Sequence, residues 1–315
     1  MRYQQTVARS ISCKGVGLHT NGPVTLTLRP APPDTGIVFI RERSGGSVSI
    51  GALAWNLVPT DLCTSIGLQG ARVRTIEHIL SALAGSEVDN VYVDLDAEEV
   101  PAMDGSAGAF VQLIRTVGAV PQTRHQPFLK VTQPIEVMAG DRLLRIEPSP
   151  EPRITYTIEY DHPLIQTQTY DYNGSVSAFQ QDIAEARTFA FLNEVEALWA
   201  RGLGQGGSLD NTVVLSDCEV VNNSGLRFQD EFVRHKILDL IGDLALLGVP
   251  CIGHVVAYRS GHALHTKLVE AILDQPDKWV LLNADEQAAE AMSRRRLDSL
   301  LARPAVPLHA ASPAL

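Results

Sequence analysis

The segment His235–Leu244, HKILDLIGDL, constrains this chain more than any other stretch. Ile237, Leu240, Ile241 and Leu244 recur at helical spacing, and four reactive side chains, His235, Lys236, Asp239 and Asp243, lie between them. At roughly 100° per residue, His235, Asp239, Asp243 and Lys236 fall near 0°, 40°, 80° and 100°, and the apolar set falls at roughly 140–240°. Such a helix turns one face to a core. The other face gathers a His and an Asp at i and i+4, a geometry that clamps a metal ion. A solvated surface helix is the plainer alternative, because His-x-x-x-Asp is a common pattern. Gly242 weighs against that alternative. It sits beside His235 at roughly −20° and costs about 1 kcal/mol of helix propensity, so something must approach that face closely.

Other segments offer matching chemistry. Thr75 reads as the N-cap of a helix with Ile76, Ile79, Leu80 and Leu83 on one stripe and Gly85 at its end. Glu77 and His78 lie off that stripe. The His provides a third ligand, and the Glu adjoins it as a base that deprotonates water, the arrangement of helical metalloprotease motifs. An exposed polar pair at a helix start is the alternative. His262 follows a Gly turn after an apolar strand, in Ser260-Gly261-His262-Ala263-Leu264, and is placed to donate a proton. His265 is a weaker candidate for the same role, and an N-cap or a solvent-facing His remains open. Thr188, in Ala186-Arg187-Thr188-Phe189, offers a hydroxyl to an oxyanion or simply marks a helix end. The run GLGQGGS at 202–208 lacks the Gly-Lys-Ser/Thr of a phosphate loop and reads as a flexible loop. His19, His125, His162, His254 and His309 have no partner in sequence and default to structural or surface roles.

Bulk properties set the class. The 315 residues are 45% hydrophobic and 20% charged, an ordinary globular balance with room for two domains. A net charge of −10 argues against nucleic acid as a partner. Cys13, Cys63, Cys218 and Cys251 are far apart and form no Cys-x-x-Cys pair, so reduced thiols in a cytoplasm are expected. The polar start MRYQQTVARS lacks an export core, and Ile237–Tyr258 is too broken by Asp239, Asp243 and Pro250 to insert stably in a membrane.

Along the chain, strands are expected at Val24–Leu28, Gly36–Ile40 and Asn90–Leu95, with helices from Thr75 and over about 107–116. The stretch Ala119–Pro127, with two prolines, is the linker candidate. Beyond it, strands at 129–131, 143–146, 154–160, 212–215 and 252–258 and helices at 179–186, 194–199, 230–247 and from 262 repeat a similar order. Strands followed by helices imply an α+β fold rather than an alternating parallel sheet, and the order hints at duplication without a residue-level repeat. The domains expected are 1–124, carrying Glu77 and His78, and 125–280, carrying His235, Asp239 and His262, followed by a helix or tail over 281–315. The part after Arg303, rich in Ala and Pro, is expected to fray.

The order and spacing of Glu77-His78, Met103-Asp104-Gly105-Ser106, Ala186-Arg187-Thr188-Phe189, His235-Lys236-x-x-Asp239-x-x-x-Asp243 and Gly261-His262 resemble the UDP-3-O-acyl-N-acetylglucosamine deacetylases. These are zinc amidases of lipid A synthesis in Gram-negative bacteria. The resemblance runs from Gly15-Val16-Gly17-Leu18-His19 to about residue 275. It implies two similar domains, each a β-sheet with two helices, with the helices packed between the two sheets. It implies His78, His235 and Asp239 as ligands of Zn2+, Glu77 as general base, and His262 as general acid supported by Asp243. Lys236 and Thr188 would orient the substrate or its oxyanion. Glu159, Tyr160 and Arg259 would contact the nucleotide diphosphate. Leu18, Phe189, Phe191, Val195 and Leu209 would line the passage for the substrate's fatty acyl chain, and Cys63 would also contact the substrate. The chain is then expected to act as a monomer on a nucleotide-sugar lipid, with its C-terminal tail a handle for a regulatory protease.

Two rivals use the same residues. Two His and one carboxylate also form the facial triad of a non-haem iron oxygenase, whose ligands usually sit on barrel strands and which gives Glu77 and His262 no task. A non-catalytic metal or nucleotide-sugar binder would likewise need neither.

Overall fold

The computed structural model describes residues 2–283. The tail expected beyond that point lies outside the described residues. Six helices carry the argument: α1 (Glu77–Gly85), α2 (Gly108–Val117), α3 (Val176–Ala178), α4 (Leu192–Ala200), α5 (Glu231–Leu244) and α6 (His262–Leu273).

The frame is two five-stranded sheets of identical topology. The first runs Ile11–Val16, Pro23–Pro30, Val91–Leu95, Ile37–Arg43, Gly46–Gly51. The second runs Ile135–Ala139, Arg142–Glu147, His254–Tyr258, Arg153–Tyr160, Gln166–Tyr172. In each, two hairpins come first, and the central strand arrives last. That strand pairs antiparallel with one hairpin and parallel with the other. In each, one helix precedes the central strand (α1, α5) and one follows it (α2, α6). The duplication hinted at by element order is therefore real at the level of topology, and the fold is α+β.

Alternation builds the inner faces. In Pro23–Pro30 the buried residues are Val24, Leu26 and Leu28, and in Arg153–Tyr160 they are Ile154, Tyr156 and Ile158. These side chains and the apolar faces of α1, α5 and α6 form one continuous core, so the helices lie between the sheets. Each half also inserts a small element before its first helix. In the first half it is the hairpin Ser65–Leu68 and Ala71–Arg74. In the second it is the parallel pair Phe189–Phe191 and Val213–Leu215, with α4 between them.

Several expectations need correction. Ala119–Pro127 is no linker: Ala119–His125 is a strand paired antiparallel with Tyr3–Val7. A two-stranded sheet consists only of edges, so it tolerates Pro121. The strand expected over 252–258 divides at Gly253, and Cys251–Ile252 pairs with Phe128–Val131 instead of joining the main sheet. The helix expected over 179–186 is a wide turn at Phe179–Ile183 following α3. Helix α5 stops at Leu244 and continues as a tighter turn, Ala245–Leu247. Leu281 and Leu282 end a strand, Trp279–Leu282, antiparallel to Phe128–Val131. No helix among the described residues is long and apolar enough to cross a membrane.

Candidate active site

The two central helices bring the reactive residues together. Glu77 and His78 occupy the first turn of α1, and both are buried. Helix α5 crosses α1 at Gly242, where a Cβ would overlap the Glu77 carbonyl oxygen and sit 2.8 Å from its carbonyl carbon. The close approach anticipated at this glycine is thus the backbone of α1 itself. It sets the three groups His78, His235 and Asp239 within 4.8 Å of one another, each offering one ligand atom. Asp239 Oδ1 lies 3.3 Å from His235 Nε2 and 3.5 Å from His78 Nε2. These three residues could hold a metal ion.

The shell behind them is ordered. His235 Nδ1 meets the Ala186 carbonyl at 3.0 Å, which turns Nε2 toward Asp239. Arg187, the next residue, is buried against Glu231 at the start of α5. Its Nε and backbone N–H donate to Glu231 Oε1 at 2.8 and 2.9 Å, and its Nη2 donates to Oε2 at 3.1 Å. This pair ties the segment that holds His235 to the helix that carries it. Glu231→Ala leaves a buried guanidinium without its partner and is expected to destabilise the fold by about 3–5 kcal/mol. Urea unfolding of variant and parent measures this, and a loss below about 1 kcal/mol would show the pair to be incidental.

His262, at the first position of α6, faces the same space. Its Nδ1 lies 2.7 Å from Asp243 Oδ2, and its Nε2 lies 3.9 Å from Glu77 Oε1 and 3.8 Å from Asp239 Oδ2. Burial works against charge on His262, but the carboxylates of Asp243 and Asp239 outweigh it and push its pKa up to about 10. Burial likewise opposes the Asp243 carboxylate, yet His262, with help from His265, holds it down to about 2. Burial raises Glu77 above the ordinary carboxylate range, which favours a group able to accept a proton. Burial pushes His235 down to about 3, so its ring is neutral, the form that binds metal.

Lys236 Nζ donates to Asp239 Oδ2 at 2.8 Å and lies 5.6 Å from the Phe189 ring centre. Phe189 stacks edgewise on Phe232 at 5.1 Å and joins Tyr160 and Phe191 in one aromatic cluster, with centroid separations of 5.8 and 6.3 Å. Tyr160, expected with the nucleotide contacts, therefore sits among the residues expected around the acyl chain. Thr188 is held by its backbone between Gly105 and Val213. Val195 is half-buried on α4, a helix with no buried residue, and Leu209 is exposed. Glu159 is exposed and bonded to Tyr258, and Arg259 is half-buried and bonded to Asp141. Cys63 is buried, with its thiol 3.8 Å from Ser65 Oγ.

The glycine-rich run is docked rather than free. Gly206 N–H donates to Leu18 O at 2.9 Å, and Gly204 N–H donates to His19 Nδ1 at 3.2 Å. His19 is thus a buried anchor for this loop.

Thr75 does not cap α1. Its φ of +57° turns its hydroxyl to Glu99 Oε1 at 2.8 Å, and Ile76 occupies the cap. Thr64 was not anticipated at all. Its N–H donates to Glu77 Oε2 at 3.0 Å and its hydroxyl to Asp243 Oδ1 at 2.6 Å. It lies in the loop just before the inserted hairpin, and nothing in the local sequence marks it.

The family profile of UDP-3-O-acyl N-acetylglycosamine deacetylase matches residues 4–274. Relatives named UDP-3-O-acyl-N-acetylglucosamine deacetylase include one from Myxococcus xanthus, 46% identical over 289 residues and 92% of each chain. One from Anaeromyxobacter is 47% identical over 273 residues, 87% of this chain and 89% of the relative. One from Xanthomonas campestris is 45% identical over 281 residues, 89% of this chain and 93% of the relative. The chain belongs to the UDP-3-O-acyl N-acetylglycosamine deacetylase family.

Proposed function

We propose that this protein hydrolyses the N-acetyl group of UDP-3-O-acyl-N-acetylglucosamine, yielding acetate and UDP-3-O-acyl-glucosamine for lipid A synthesis in the cytoplasm. The observation that carries this reading is the convergence of a three-ligand metal cluster with a buried base, Glu77, and a charged acid, His262. An iron oxygenase or a binding protein leaves the last two without a task.

The donor set fits zinc. Bonds of about 2.0–2.1 Å at tetrahedral angles put donor atoms roughly 3.3–3.4 Å apart, close to the 3.3 and 3.5 Å found here. Two imidazoles and one carboxylate also leave a position for water, as catalytic rather than structural sites do. When bound, the ion supplies Lewis acidity and lowers the pKa of water toward about 7.

The chain's own residues carry the proton traffic. Glu77 takes a proton from the attacking water, and Thr64 N–H fixes its carboxylate. Thr188 and Lys236 orient the acetamide oxygen and stabilise the charge it gains. His262, kept protonated by Asp243, donates to the departing nitrogen, which leaves poorly as an amide anion. Phe189, Phe191, Val195, Leu209 and Leu18 shield the acyl chain with Tyr160 packed against the two phenylalanines, Cys63 contacts the substrate, and Glu159 and Arg259 receive the nucleotide. Residues 1–124 and 125–280 then form two units whose junction is the site.

The test is direct. Purified protein contains zinc and releases acetate from the acylated nucleotide sugar, and metal-replete protein that leaves this substrate intact would refute the reading. Asp239→Ala is expected to lower zinc affinity by at least about 10–100-fold, measured by competition with a chelating dye. Full zinc occupancy in that variant would remove Asp239 from the ligand set.

A further inference from the structure

Asp243 serves two histidines, and the known family motif accounts for one. Its Oδ2 accepts from His262 Nδ1 at 2.7 Å and from His265 Nδ1 at 2.8 Å, while Oδ1 accepts from Thr64 Oγ1 at 2.6 Å. His265 is fully buried, one turn along α6 from His262. Its Nε2 lies 3.1 Å from Tyr156 Oη and 3.2 Å from Ser260 Oγ. Tyr156 Oη donates to the Ser260 carbonyl at 2.8 Å, which uses its single proton. Ser260 Oγ in turn donates to Tyr156 Oη at 2.8 Å, which uses its single proton as well. The Asp243 carboxylate can only accept, so His265 Nδ1 carries the proton of their bond and donates it to Oδ2.

The trio Asp243, His262 and His265 also has ligand atoms within 4.8 Å of one another. Separations of 2.7 and 2.8 Å are those of hydrogen bonds, however, and a metal shared by these atoms would spread them to roughly 3.3 Å. The cluster is a proton-organising network rather than a second metal site.

We propose that His265 is a positioning residue for the deacetylation, acting through Asp243 to aim and share the carboxylate that holds His262. The inference rests on the proposed function. With Thr64 and His265 both donating to it, Asp243 keeps one carboxylate plane and one rotamer. Part of its charge is engaged by the His265 Nδ1–H, and His265 takes no part in the transfer. His262 alone of the pair faces the site, with Glu77 and Asp239 across from it. Without the His265 donor, Asp243 can turn, and it bonds His262 too strongly for the imidazolium to give up its proton.

The experiment compares full-length, zinc-loaded protein with His265→Leu and His265→Asn. Leucine fills the space without a donor, whereas the asparagine amide places an N–H about where Nδ1 stands. His265→Leu is expected to lower kcat about tenfold, leaving KM within about twofold and zinc content unchanged. His265→Asn is expected to restore most of kcat. In proton NMR, the downfield Nδ1–H resonance of His262 is expected to shift in His265→Leu and to return toward its parent position in His265→Asn. Parent-like kcat in His265→Leu would overturn the proposal. So would equal losses in both variants with an unmoved His262 resonance, since that pattern reports packing alone. The NMR comparison needs no turnover, so a parent protein inactive on this substrate would refute the functional reading separately.

Discussion

His262→Ala is expected to lower kcat by about 10²–10⁴ while the protein keeps its full complement of zinc. The metal should stay because His262 is none of the three residues proposed to hold it; its Nδ1 is engaged by Asp243 and its Nε2 stands 3.8 Å from Asp239. The rate should fall because breaking a C–N bond requires the nitrogen to gain a proton, and no other charged donor among the described residues lies so close to Glu77. Asp243→Asn gives a graded version of this result. Asp243 helps push the His262 pKa up to about 10, so His262 is charged below that pH and loses its proton as pH rises through it. Removing the carboxylate's charge lowers that pKa toward the ordinary value of about 6.5. The alkaline limb of the activity profile should therefore move to lower pH in Asp243→Asn. Metal loss from His262→Ala, or an alkaline limb that does not move in Asp243→Asn, would remove His262 from the role of acid.

The parts of this site that could be read in the sequence are those whose chemistry is local. His235, Asp239 and Asp243 share one helix, so their spacing alone brings them to one arc. Glu77 and His78 are adjacent and carry a recognisable motif. Thr64 and Asp243 meet across 179 residues, and Tyr156 and His265 across 109. No periodicity encodes those meetings. They follow from packing α1 and α6 onto α5, which only the assembled fold determines.

The errors have the same origin. Ala119–His125 looks like a linker because its prolines and polar residues suit a loop. It becomes a strand because the N-terminal strand Tyr3–Val7 lies alongside to pair with it. The Gly202–Ser208 run looks flexible by composition, yet its glycines admit the Gly17–His19 backbone and so fix the loop. Glycine in sequence signals permission for an unusual backbone or a close neighbour, and only the fold reveals which is used.

Gly242 illustrates the second use, and its replacement carries the other large expected effect. A methyl group at this position gains about 1 kcal/mol of helix propensity, so an exposed helix would be stabilised by Gly242→Ala. Here the Cβ would overlap the Glu77 carbonyl oxygen, with the carbonyl carbon at 2.8 Å and Cα at 3.0 Å. The obstacle is backbone in the first turn of a helix, so no rotamer change relieves it. Helices α1 and α5 must move apart, and overpacking of this kind costs about 1–3 kcal/mol or more. Stability is therefore expected to fall despite the better propensity. Activity should fall further, because α1 carries His78 and Glu77 while α5 carries His235 and Asp239. A displacement of about 1 Å between catalytic groups costs on the order of 100-fold in rate. Gly242→Ala should thus show a lower Tm, weaker zinc binding and a kcat/KM reduced by about two orders of magnitude, with Gly242→Val worse in each respect. Parent-like Tm and kcat/KM in Gly242→Ala would mean that the close crossing of these two helices is not what aligns the proposed metal ligands with the proposed base.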